Sequence, residues 1–107
     1  MDHDGLTKMT KIEVVVGGTE VPAVRELIQT SGASGFTSVS GVSGLGHGGY
    51  HQGNLLFNER DTLALLITVV PDDRAAGLLA GLRPLLEQAS GVMFVSDTYV
   101  SRPEYFR

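Results

Sequence analysis

Leu63-Ala64-Leu65-Leu66-Ile67-Thr68-Val69-Val70-Pro71-Asp72-Asp73 is the stretch that decides the fold. Residues 63–70 are apolar apart from Thr68, too few for a stable helix, and β-branched towards their end, which predicts a strand buried on both faces. Pro71 closes the strand because it has no N–H to give a ladder. Asp72 or Asp73 can then cap a helix, in which Leu78, Leu79, Leu82, Leu85 and Leu86 form a core-facing stripe and Pro84 introduces a bend.

Reading outward from this stretch, Ser90-Gly91 breaks the helix and Val92 to Val100 gives a last strand, followed by the tail Ser101 to Arg107. Upstream, Lys11 to Gly17 alternates as a strand. Thr19 is placed to cap a helix carrying Val21, Val24, Leu27 and Ile28 at helical spacing, with Pro22 in its first turn and Gly32 at its stop. Phe36 to Val42 supports another strand before the glycine-dense stretch Gly41 to Gly53.

The resulting order, strand, helix, strand, long loop, strand, helix, strand, predicts an α+β, ferredoxin-like βαββαβ domain with a four-stranded antiparallel sheet. Right-handed crossovers put both helices on one face. Residues 63–70 nevertheless present Leu63, Leu65, Ile67 and Val69 to one face and Leu66 and Val70 to the other, so the face without helices calls for another subunit.

Composition narrows the function. The 107 residues suit a single domain, 42% are hydrophobic, 19% are charged, and the net charge is -4 with Lys and Arg numbering 8, which gives no footprint for nucleic acid or an anionic membrane. With Cys 0, disulfides and thiolate chemistry are excluded. The acidic start Met1-Asp2-His3-Asp4 does not resemble a signal peptide, and a cytoplasmic protein is expected.

Gly44-Leu45-Gly46-His47-Gly48-Gly49 satisfies GxGxxG, and Gly41 to Gly46 has P-loop glycine spacing. Neither fits, because no helix is expected to start there and His47 stands where a P-loop needs lysine. Two readings remain: a surface loop, or an anion-binding concavity of glycine N–H groups aided by Ser40 and Ser43. His47 and His51 lack the helix that would fix them as metal ligands, Asp72-Asp73 reads as helix-starting acids, and Arg102 is either a tail charge or a phosphate ligand.

Three segments carry a resemblance to PII signalling proteins: Ile67-Thr68-Val69-Val70-Pro71-Asp72-Asp73, Gly35-Phe36-Thr37-Ser38-Val39 leading to Gly44-Leu45-Gly46, and Gly91-Val92-Met93-Phe94-Val95. The resemblance spans residues 11–100. It implies a homotrimer with adenine nucleotide in clefts between subunits, a flexible N-terminus over 1–10, a T-loop-like segment over 43–60 and a C-terminal tail over 101–107. By that resemblance the nucleotide contacts are Thr37, Ser38, Gly44, Gly46, His47, Val69, Gly91, Val92, Met93 and Arg102. No catalytic residue, metal or required cofactor is implied.

The segment Glu87 to Val92 lacks the lysine that PII proteins place near the terminal phosphates, which favours ADP or AMP over ATP. Leu45 replaces an aromatic turn residue and the loop is short, so Tyr50 is a poor site for uridylylation. The small build and the ending Val100 to Phe106 are similar to a carboxysome-associated branch that senses bicarbonate with adenine nucleotide. That branch implies bicarbonate near Ser40, Gly41, Ser43, Gly44 and Arg102, and a protein partner such as a bicarbonate transporter or carboxysome component. The alternatives are a slow nucleotide hydrolase, a nitrogen-regulatory relative and a purely structural ferredoxin-like oligomer.

Overall fold

A computed structural model describes residues 4–42, 45–46, 49–50 and 62–107. Strand β1 spans Thr7–Gly17, helix α1 Val21–Thr30, and β2 Thr37–Val42. Two short strands, β3 (Leu45–Gly46) and β4 (Gly49–Tyr50), pair with each other inside the glycine-rich stretch. Strand β5 (Leu63–Val70), helix α2 (Asp72–Ala89) and β6 (Val92–Val100) complete the domain, and a 3-10 turn over Pro103–Tyr105 follows.

The four long strands order as β2-β5-β1-β6, all neighbours antiparallel, as a ferredoxin-like split βαβ requires. Alternation along the strands sorts the sheet into two faces. Ile12, Val14 and Val16 of β1 and Ala64, Leu66 and Val70 of β5 are buried with Val24 and Ile28 of α1 and Leu78, Leu82 and Leu86 of α2. Both helices therefore cover one face. The opposite face carries Leu63, Leu65, Ile67 and Val69, each half-buried, and Val39, Val92 and Phe94, all exposed.

The structure corrects four local expectations. Neither Asp72 nor Asp73 caps α2: Pro71 is the N-cap, and the Asp72 carboxylate instead accepts from Lys8 at 2.6 Å and Thr10 at 2.7 Å. Thr19 does not cap α1, because a 3-10 turn over Gly18–Glu20 intervenes and Glu20 occupies the cap position without a side-chain bond. Residues 7–10 are not a flexible terminus but the start of β1, paired with Asp97 to Val100 on one side and, at Thr10, with Val70 on the other. Phe36 lies before β2 rather than in it.

Two glycines answer to packing and turn geometry. A Cβ on Gly91 would lie 2.7 Å from Val16 Cγ1 and 2.8 Å from Leu86 Cδ2, so the chain can pass from α2 into β6 against the core only without a side chain. Gly41, at φ +74°, is the extra residue where the β2–β5 register slips between Ser40 and Val42. Such a bulge bends the strand locally and increases its twist, and pairing resumes at Val42 with Leu63.

Candidate functional site

An open groove of about 350 Å³ runs where three segments meet. One wall is Ser34 to Thr37 at the start of β2, the floor is Ile67 to Val69 of β5, and the far wall is Tyr105 and Phe106 of the C-terminal tail. Thr37 pairs with Ile67, which puts both side chains on the face without helices. Thr68 points the other way, and its hydroxyl donates to the Gly35 carbonyl at 2.7 Å, so the groove wall is pinned from beneath the sheet.

Cations sit behind both aromatic walls. The Arg25 guanidinium lies 5.8 Å from the Phe36 ring centroid, and that of Arg102 lies 5.6 Å from the Tyr105 ring centroid, both within cation–π range. Arg102 Nη1 also donates to the Tyr105 hydroxyl at 3.1 Å. The site is thus an open groove of mixed lining with aromatic residues on two sides and an arginine near each ring, a composition suited to a flat ring system bearing an anionic group.

Among the expected site residues, Thr37 and Val69 line this groove and Arg102 touches it through Tyr105. Ser38 and Ser40 pair with Leu66 and Ala64 and so belong to the helix-side face of β2, while Gly41 forms the bulge. Gly46 sits in the small β3–β4 ladder. Ser43, Gly44 and His47 lie outside the described residues.

The group at Gly91, Val92 and Met93 is elsewhere. The Gly91 N–H is committed to the Leu86 carbonyl at 3.0 Å, and Val92 and Met93 pair with Val15 and Val14 on the opposite edge strand from β2. Three strand spacings separate β6 from β2, roughly 14 Å. Within one chain the two groups do not meet.

The model of the family described as nitrogen regulatory protein P-II matches residues 9–105. This chain belongs to the P-II family. Its structure is similar to that of CPII, a nitrogen regulatory PII-like protein from Thiomonas intermedia K12 bound to ADP, AMP and bicarbonate, at 38% identity and TM-score 0.87, covering 95% of this chain and 96% of that one. A PII-like signalling protein from Thermus thermophilus shares the fold at 20% identity and TM-score 0.77, covering 100% of each chain. CutA from Synechococcus elongatus PCC7942 shares it at 10% identity and TM-score 0.64, covering 95% of this chain and 94% of that one. No curated protein matches the sequence.

In this P-II protein Ser34, Gly35, Phe36, Ile67, Thr68, Tyr105 and Phe106 line the groove without being among the expected site residues. A signal was present: two adjacent aromatics in an otherwise polar tail have no core position to fill and invite a surface role. Behind the site, the Lys8 ammonium first, then the Thr10 hydroxyl, holds the Asp72 carboxyl below its ordinary 3.8, and the bond to Asp72 raises the Lys8 ammonium above 10.5. Lys8 also reaches Asp97 of β6 at 3.4 Å. This cluster ties β1, β6 and the start of α2 together at the strand end from which the tail departs. Among the described residues no three acids or histidines gather to hold a metal, and no helix is long and apolar enough to cross a membrane.

Proposed function

We propose that this P-II protein is a non-enzymatic signalling subunit that binds ADP or AMP in the groove between Phe36, Ile67 and Tyr105. The observation that carries the reading is the groove itself, an aromatic-sided slot with arginines behind both rings, in a chain 38% identical to a protein solved with ADP, AMP and bicarbonate. The adenine stacks in the slot, and the phosphates lie towards Arg102. Lacking a lysine in Glu87 to Val92, the site favours ADP and AMP over ATP.

Assembly follows from the separation of the expected site residues. Thr37 and Val69 sit at one side of the sheet and Val92 and Met93 at the other, so a nucleotide that touches both groups does so between two subunits. The exposed Val39, Val92 and Phe94 support the same conclusion, since a trimer would cover the face that no helix covers. Bicarbonate binds near Ser40, Gly41 and the following glycines, at the end of β2 away from the groove, and the pair of ligands shifts the population of the 43–60 segment. That segment then engages a cytoplasmic-side partner in inorganic-carbon uptake, a bicarbonate transporter or a carboxysome component.

Two ligands that report through one loop must be coupled reciprocally. Calorimetric titration of ADP with and without bicarbonate, and of bicarbonate with and without ADP, is expected to show the same factor in both directions. Affinities that ignore the second ligand would overturn the gating mechanism, and release of phosphate or AMP from ADP or ATP under turnover conditions would overturn the non-enzymatic reading.

A further inference from the structure

Tyr105 occupies two environments at once. Its ring is a wall of the groove, 60% of the residue is exposed, and its hydroxyl takes a hydrogen bond from Arg102 Nη1 at 3.1 Å. The same two residues are joined through the backbone, where the Tyr105 N–H donates to the Arg102 carbonyl at 3.0 Å. Pro103 opens the intervening 3-10 turn and fixes its φ. The turn fixes the backbone of both residues, and the guanidinium is held by the phenol oxygen and lies 5.6 Å from the ring centroid.

An arginine side chain otherwise samples many rotamers, and ordering it on binding weakens the interaction it makes. Here one of its five N–H donors is used for positioning, and among the described residues no other hydrogen-bond partner takes the rest, which are left for an anion. The phenol oxygen as acceptor leaves the positive charge in place, unlike a carboxylate partner, which would neutralise it. No acidic side chain among the described residues pairs with Arg102.

We infer that Tyr105 is a positioning residue: its ring shapes the slot for the base, and its hydroxyl presets Arg102 towards the phosphates. The inference rests on the nucleotide reading above and adds a division of labour within one side chain. Removal of the hydroxyl alone disturbs recognition of the phosphate and spares recognition of the base.

The test compares wild type, Tyr105→Phe and Tyr105→Leu in titrations with ADP by calorimetry and with adenosine by ligand-observed NMR. Tyr105→Phe is expected to weaken ADP about tenfold, the scale of one hydrogen bond to a charged group, while adenosine changes less than twofold. Tyr105→Leu, which also removes the ring, weakens both ligands. In an Arg102→Gln background the further change from Tyr105→Phe falls below twofold, because the residue it positions is gone. Unchanged ADP affinity in Tyr105→Phe, or equal losses for ADP and adenosine, would overturn the positioning role while leaving the nucleotide site standing. Absence of ADP binding to wild type would overturn both.

Discussion

The two faces of the sheet are built from the same strands and serve opposite ends. On the helix side, Ile12 and Val14 of β1 and Leu66 of β5 are 0% exposed; on the other side, at the two edges of the sheet, Val39 of β2 is 46% exposed and Val92 and Phe94 of β6 are 49% and 57%. A period-two strand lets one sequence supply both faces, so stability and recognition are divided by the parity of residue number. The groove lies on the open face, where Ile67 and Val69 are free to meet a ligand because the core is made by Leu66, Thr68 and Val70.

Breaking the sealed face has the largest effect. Leu66→Ala is expected to cost about 2–5 kcal/mol of unfolding free energy, since the cavity it leaves is ringed by helix and strand side chains that cannot collapse. Denaturant unfolding measures this. Phe94→Ala, on the open face, leaves far-UV circular dichroism unchanged but shifts self-association to concentrations tenfold higher or more, read by sedimentation. Equal loss of stability from both substitutions would erase the distinction between the faces.

The smallest expected effect lies at the sheet's end, in the exposed pair of Lys8 and Asp72. Asp72 has a carboxyl held below 3.8, so the stability it contributes is present above that pH and is lost as pH falls through the lowered folded value. Lys8, raised above 10.5, contributes below that pH and loses the contribution as pH rises through its raised folded value. The difference in melting temperature between wild type and Asp72→Asn should therefore be largest near neutral pH and close in acid. A difference that persists unchanged below pH 3.8 and on into strong acid would show that Asp72 acts through packing or neutral hydrogen bonding and not through its charge.

Most of the architecture was legible because strong patterns have one solution. Residues 63–70 form a strand with the expected limits, Pro71 ends it, and the leucine stripe of α2 is core at Leu78, Leu82 and Leu86. Local hydrogen-bond chemistry was less legible. Asp72 has the residue type and position of a cap, yet a lysine from β1 competes for it, and that lysine is 64 residues distant in sequence. The polar opening of β1, Thr7 to Thr10, hid its strand character because pairing with Val100 and Thr98 is a tertiary fact.

The site was legible in part for a similar reason. Thr37 and Val69 belong to segments with a family resemblance, and both line the groove. Gly91 carries the same resemblance, but its missing side chain serves the contact with Val16 and Leu86. Tyr105 and Phe106 reach the groove only because the tail turns back from the end of β6 towards β5 and β2, which no local pattern in seven residues specifies.

The most direct test of the nucleotide groove is a calorimetric ADP titration of wild type beside Ile67→Trp, a substitution that fills the slot from its floor. Saturable binding of one ADP per chain to wild type, and loss of at least tenfold in affinity in a variant with unchanged circular dichroism, is the predicted result. Equal binding by both proteins would place the nucleotide elsewhere, and no binding by wild type would contradict the account outright.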